Sequence, residues 1–335
     1  MIIKSFVSLV PVFLFLAVFL YLDSMKLVNK AVLLTCLGWG FASAGLSFYM
    51  NTWLMTQFDL PFGTYSRFVA PVAEEVLKCL VFIPLLRRNR IGFMIDGAIY
   101  GFAIGAAFSL TENIFYLLNY APAGNNIMVW IIRGFGTAFM HGGTMAVFGI
   151  LCMSAINRET GTGLAIAAGL AMAIFIHGIY NLFIVSPVVS TLIILLLVPL
   201  SIVLIFQLNE KHIRDWLELE FDSEINMLRM IRKGQFSLTK TGRFLLSLRA
   251  HFPPETVLDI YCFISLYLEL SMKAKAVMIL QENGFNVPQD PELAPRLAEL
   301  KALKKNIGRA GFLAISPVLR VGRKDLWKLG RLEKA

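Results

Sequence analysis

Seven apolar runs of about 18 to 27 residues succeed one another along the chain, at 5–22, 31–50, 66–86, 94–118, 127–153, 163–185 and 188–207. A helix rises about 1.5 Å per residue, so about 20 apolar residues cross the ~30 Å hydrocarbon core of a bilayer. The pattern predicts seven transmembrane helices. The first run follows Lys4 as a secretory signal would, but it is long for such a signal and no A-x-A site follows, so it reads as a retained helix. After Gln207 charged positions alternate with apolar ones at helical spacing: Ile213, Trp216, Leu217, Phe221, Ile225 and Leu228. Breaks are expected at Gly234 and at Pro253–Pro254, then a helix over 255–282 ending near Asn283–Gly284. Pro288, Pro291 and Pro295 mark a loop before a basic final segment. The apolar stretch 257–268 is short and contains Asp259, which suits the core of a small soluble domain. No strand-period pattern and no internal repeat appears. The expected fold is all-α: a polytopic membrane helix bundle over 1–207, then a helical cytoplasmic domain over 208–335.

Loop charges orient the bundle. The loop 23–30 carries Lys26 and Lys30, the loop 87–93 carries Arg87, Arg88 and Arg90, and the loop 154–162 carries Arg158. The alternate loops 51–65, 119–126 and 186–187 contain no lysine or arginine. Cytoplasmic loops are the basic ones, so the N-terminus is expected outside and the C-terminal tail in the cytoplasm of a cell-membrane protein. Composition agrees: 57% of residues are hydrophobic, 16% are charged and the mean hydropathy is +0.68, against about 25% charged in a soluble domain. The net charge of +9 suits anionic headgroups of the lipid bilayer, and no nucleic-acid motif accompanies it. Cys36, Cys79, Cys152 and Cys262 show no CxxC or CxxH spacing and read as small buried hydrophobes.

Against this apolar background a few polar groups stand out. Glu74, Glu75 and Lys78 lie in the third run, Glu112 in the fourth, His141 in the fifth and His177 in the sixth. A charge near the bilayer centre costs about 2.5–3.5 kcal/mol even on lenient scales, so these groups are expected to face one another or a hydrated cavity. The loop-derived orientation puts Glu74 about eight residues, roughly 12 Å, below the outer surface, with Glu112 and His177 at similar depths and His141 nearer the middle. Gly97, Gly101, Gly105 and Ser109 form a small-residue ridge at four-residue spacing, expected to admit a close helix neighbour. Arg133, near the outer end of the fifth run, is placed either to snorkel outward or to meet a substrate, and snorkelling is the favoured reading.

Glu74 and Lys78 share a helix face, whereas Glu74 and Glu75 diverge by about 100°. One glutamate can therefore face a cavity while the other holds a partner group. A simple ion pair locking two helices would need only one of them. His177 and Asn181 are four apart on one face, Glu112 adjoins Asn113, and His141 is followed by two glycines and Thr144. Such parts suffice for peptide-bond hydrolysis: a carboxylate or a metal activates water, and imidazole or amide donors stabilise an oxyanion. HExxH and GxSxG are absent, as are a serine–lysine pair and a GxGD-type aspartate pair. Two other readings use the same residues less fully. A proton-coupled transporter would exploit a Glu/His relay, but the chain has no repeated halves. A membrane scaffold leaves the buried charges without a purpose.

Glu74-Glu75-x-x-Lys78, then Phe108-x-x-x-Glu112-Asn113, then His141, then His177-x-x-x-Asn181 resembles the PrsW family of intramembrane proteases, over about residues 66–185. That family is distantly similar to type II CAAX prenyl proteases and their CPBP (Abi) relatives, from which this chain differs by lysine for arginine and by Glu112 for a histidine. The resemblance implies site-1-type cleavage of a single-pass membrane protein, for example an anti-sigma factor, on its extracytoplasmic side. It implies Glu74 as the base, Glu75 and Lys78 as its support, and His177 with Asn181 as the oxyanion hole. Glu112 becomes a partner in water activation or a metal ligand, and His141 becomes a metal ligand or a hydrogen-bond donor behind the reacting groups. A Zn2+ site of Glu112, His141 and His177 with an open fourth position and a metal-free glutamate mechanism are both compatible with these residues.

Overall fold

The apolar runs form helices, and the helices deviate from regularity where proline and glycine interrupt their hydrogen bonding. The structure, a computed structural model, describes residues 2–21, 28–120, 126–157, 161–282, 285 and 290–319. Among these, every regular element is helical. The chain divides into two compact units, Met1–Asn209 and Glu210–Ala335.

In the first unit α1 (Ile2–Tyr21), α2 (Lys30–Phe58), α3 (Ala70–Cys79), α4 (Met94–Tyr120), α5 (Ala138–Asn157), α6 (Thr162–Leu182) and the first part of α7 (Pro187–Arg232) follow the seven runs in order. Among the described residues, four helical stretches are long and apolar enough to cross a membrane: Lys30–Phe58, Met94–Tyr120, Ile127–Ile156 and Thr162–Leu182. Ile2–Val18 and Pro187–Ser201 are shorter apolar helices. Of the loop charges that oriented the bundle, Lys26 and Arg158 lie outside the described residues.

The third run is expected as one helix over 66–86 and is instead broken. Pro84 has no N–H and its ring crowds the Leu80 carbonyl, so α3 stops at Cys79 and a short helix resumes at Phe82–Arg87. Before α3 a π-turn spans Tyr65–Val69, in which the Ala70 N–H reaches back five residues to the Tyr65 carbonyl. A second π-turn, Ile132–Thr137, joins the short helix Ile127–Ile131 to α5, with the Ala138 N–H bonded to the Arg133 carbonyl. π-turns are rare and tend to occur where a side chain must be re-aimed.

α4 is the central helix, buried without interruption from Ile95 to Leu110. Its glycine ridge meets α5 directly. A Cβ on Gly97 would lie 2.6 Å from the Gly149 carbonyl oxygen, and one on Gly101 would lie 2.0 Å from that of Met145. A Cβ on Gly105 would lie 2.0 Å from the carbonyl oxygen of His141. The two backbones touch, as the four-residue spacing predicts. Cys36, Cys79 and Cys152 are buried as expected, whereas Cys262 is exposed.

The second unit has its own core. α8 (Pro254–Glu282) and α9 (Leu293–Leu319) contribute Ile260, Ile264, Tyr267, Leu297, Leu300 and Ile307, and Leu228 and Ile231 come from the end of α7. Gly234 ends α7 at a φ of +66°, which glycine tolerates without cost. Pro295, expected in a loop, sits in the first turn of α9, where proline's missing N–H has no helical partner to lose. The expected helix stop at Asn283–Gly284 and the loop residue Pro288 lie outside the described residues.

Candidate active site

Glu74 and Glu75, adjacent on α3, take up different surroundings. Glu75 is fully buried. Its Oε1 accepts hydrogen bonds from Lys78 Nζ at 2.8 Å and His177 Nδ1 at 2.8 Å, and Thr144 Oγ1 lies 3.4 Å from both carboxylate oxygens. A buried carboxylate needs this degree of pairing. The Glu74 side chain keeps 12% of its surface exposed. Its Oε1 accepts from Asn51 Nδ2 at 3.2 Å, and Asn51 Oδ1 accepts from the Tyr65 hydroxyl at 2.5 Å. Its Oε2 stands 4.0 Å from Lys78 Nζ.

Lys78 dictates the state of His141. An ammonium has only protons to offer, so His141 Nδ1, 2.8 Å from Lys78 Nζ, is the acceptor. Nε2 then carries the ring proton and donates to Glu112 Oε2 at 3.3 Å. His177 has the opposite arrangement: its Nδ1 proton goes to Glu75, and Nε2 is left with a lone pair. The two rings stand 4.9 Å apart and nearly perpendicular. The Lys78 ammonium also lies 4.0 Å from the centre of the Phe108 ring, a cation–π contact that completes its enclosure.

Glu112, expected beside both histidines in the metal set, touches His141 but is drawn also to Arg133, whose Nη2 is 3.2 Å from the same oxygen. Among the described residues, the three acidic and imidazole groups placed to share an ion are Glu74, His141 and His177, with one ligand atom from each within 4.8 Å of the others. The carboxylate of that set is thus Glu74 in place of Glu112. Asn181 Nδ2 donates to the Ser66 carbonyl at 2.9 Å. The helix itself offers that carbonyl no N–H: the one on Ala70 is taken by Tyr65, and the next residue, Pro71, has none. Asn51, Tyr65 and Arg133 are the contributors that residue patterns did not reveal. Asn51 lies one position past the expected end of the second run and Tyr65 in an expected loop, and a polar side chain in such a place is ordinary. Arg133 does not snorkel. It turns inward, with 13% of its side chain exposed.

The donors suit a catalytic zinc ion, for which two histidines and one glutamate with an open position are a known set. Bonds of about 2.0–2.1 Å from each ligand would require the three atoms to draw together. His141 would also have to release either Lys78 or Glu112, since both ring nitrogens are engaged.

A buried network of carboxylates and imidazoles strung across apolar helices, with Glu74 and Glu112 keeping 12% and 27% of their side chains exposed, has the parts of a membrane-embedded hydrolase. The family described as PrsW family intramembrane metalloprotease matches residues 28–206, more than half of the chain, and the chain belongs to that family. No curated protein and no solved structure matches it. The protein is therefore a multi-pass membrane protein and an intramembrane protease, which decides against proton-coupled transport and against a scaffold.

Proposed function

We propose that the protein hydrolyses a peptide bond of a single-pass membrane protein, for example an anti-sigma factor, with Glu74 activating the attacking water. The observation that carries this reading is the contrast between two neighbours: Glu75 is fully buried and paired with Lys78 and His177, whereas Glu74 keeps an exposed edge beside His141 and His177. Glu74 takes a proton from water as the water oxygen bonds to the scissile carbonyl carbon. The same proton then passes to the departing amine as the C–N bond breaks. Glu75 and Lys78 hold His177 and His141 in fixed tautomers. The remaining Asn181 N–H is the donor left to meet the tetrahedral intermediate, and His177 Nε2, which holds a lone pair, joins it as a donor only after taking up a proton.

Zinc, where bound, would be held by Glu74, His141 and His177 and would polarise the carbonyl and activate water. Glu74 is needed in either chemistry. Seven crossings, an external N-terminus and a cytoplasmic 208–335 domain follow from the alternation of basic loops. On that topology the site lies in the outer half of the membrane, and cleavage falls near the extracytoplasmic face of the substrate.

The test is Glu74→Gln in the full chain, reconstituted with a single-pass substrate. Glutamine keeps the contact with Asn51 but cannot take a proton. Cleavage is expected to fall by about 10²–10⁴-fold with unfolding unchanged. A glutamine variant cutting at the wild-type rate would remove Glu74 from the mechanism.

A further inference from the structure

We propose that Arg133 is a positioning residue of this site: it holds the Glu112 carboxylate so that Glu112 fixes the ring of His141. The inference rests on the protease reading for its kinetic consequence, though not for its structural one.

The guanidinium is held on several sides at once. Its Nη2 forms an ion pair with Glu112 Oε2 at 3.2 Å, a charge contact rather than an aligned hydrogen bond. Its Nε donates to Asn113 Oδ1 at 3.1 Å, and its central carbon lies 3.7 Å from the centre of the Tyr116 ring. Asn113 is itself anchored, its Nδ2 donating to the Ser8 carbonyl on α1 at 2.9 Å. A planar group that stacks, donates and pairs simultaneously is a use of arginine that lysine's single ammonium does not reproduce.

The π-turn makes the encounter possible. Residues 133 and 141 are eight positions apart, which on a regular helix leaves them about 80° apart around the axis. The turn Ile132–Thr137 inserts in effect one extra residue between them. The angle falls to about 20°, and Arg133 and His141 reach the same oxygen of Glu112. Close approach by α1 seals the outer side of this turn: a Cβ on Gly134 would lie 2.1 Å from the Val7 carbonyl oxygen.

The result is one chain of contacts, from Arg133 through Glu112, His141, Lys78 and Glu75 to His177. Glu112 accepts the Nε2 proton of His141, which leaves Nδ1 to accept from Lys78. Without Arg133 the Glu112 carboxylate loses its counter-charge and its anchor, and the His141 ring is free to flip or change tautomer. Arg133 touches neither water nor substrate in this scheme.

The experiment compares Arg133→Met, Arg133→Lys and Arg133→Met/Glu112→Gln in the full chain, with ¹⁵N-labelled histidine. Wild type is expected to show His141 protonated at Nε2 alone. Arg133→Met is expected to show mixed His141 tautomers and a kcat lower by about 10–100-fold, the range for partners that orient an active-site histidine, with KM within a few-fold. Arg133→Lys restores folding but not the single tautomer. The double variant, whose glutamine carbonyl accepts from His141 without needing a counter-charge, is expected to recover the tautomer and part of kcat. A folded Arg133→Met protein with the wild-type histidine spectrum and kcat overturns the proposal. If that variant does not fold, a folded double variant with scrambled His141 tautomers overturns it instead. Failure of the protease reading would show separately, as cleavage surviving in Glu74→Gln, and the histidine spectrum alone would then decide whether Arg133 positions His141.

Discussion

Adding one methyl group at position 105 should cost far more activity than stability. A Cβ there would fall 2.0 Å from the His141 carbonyl oxygen and 2.4 Å from its carbon, where ordinary contact begins at 3.4 Å. Both obstructing atoms are backbone, so no rotamer change relieves the overlap, and α4 and α5 must part locally by about 1 Å or more. Overpacking of this kind costs about 1–3 kcal/mol. Replacing a helical glycine by alanine returns about 1 kcal/mol, so the net loss should be no more than about 2 kcal/mol. The site is less forgiving. His141 holds Lys78 at 2.8 Å and Glu112 at 3.3 Å, and a shift of about 1 Å takes the second contact out of hydrogen-bond range. Misplacement on that scale is worth about 10²-fold in rate. The assay pairs unfolding in detergent with cleavage of a reconstituted transmembrane substrate, using two controls. Gly97→Ala, with its Cβ 2.6 Å from the Gly149 oxygen but about 12 Å away along α4, should lose similar stability and much less activity. Gly45→Ala, inside α2 with nothing within 4 Å, should gain about 1 kcal/mol of stability and leave activity unchanged. Wild-type cleavage by a folded Gly105→Ala protein would refute the idea that α4–α5 contact sets the position of His141.

Lys78→Met should destabilise the protein by about 3–5 kcal/mol, because it strands the buried Glu75 carboxylate without its cation. Lys78→Met/Glu75→Gln should recover most of that loss but no cleavage, and a double variant no more stable than the single one would contradict the pairing. If zinc activates the water, metal analysis of active protein should find about one zinc per chain, lost in His177→Ala and in Glu74→Gln but retained in Glu112→Gln. Chelation should stop cleavage and zinc restore it. Full activity in protein free of bound metal would leave Glu74 to activate water alone.

How far the site was legible follows from the range of each cue. Glu74, Glu75, Lys78, Glu112, His141 and His177 were conspicuous because charge and imidazole within apolar runs demand an explanation. Their convergence on a shared network could be expected for the same reason. The choice of partner could not. Glu112 was the carboxylate expected in the metal set, yet it is shared between Arg133 and His141 while Asn51 holds Glu74 within reach of both histidines. Asn181, expected to face substrate, has one amide proton committed to a backbone carbonyl for which Pro71 supplies no N–H. Arg133 itself was misjudged because a position near a helix end ordinarily allows snorkelling, and the stack of Tyr116 and Asn113 that turns it inward comes from another helix.

Sequence alone determined the helical class, the order of the seven apolar stretches, the close contact along Gly97, Gly101 and Gly105, and the charged and imidazole residues that had to be paired within the bundle. These are properties of length, period and local composition, and each is written within one segment. Tertiary structure decided the angular register and the pairing: two π-turns re-aim Tyr65 and Arg133, Pro84 breaks the third run, and the meeting of α4 with α5 brings His141 to Glu112. Hydrogen bonds and ion pairs form over about 3 Å, so a shift of one residue in any helix would select different partners from the same set of side chains.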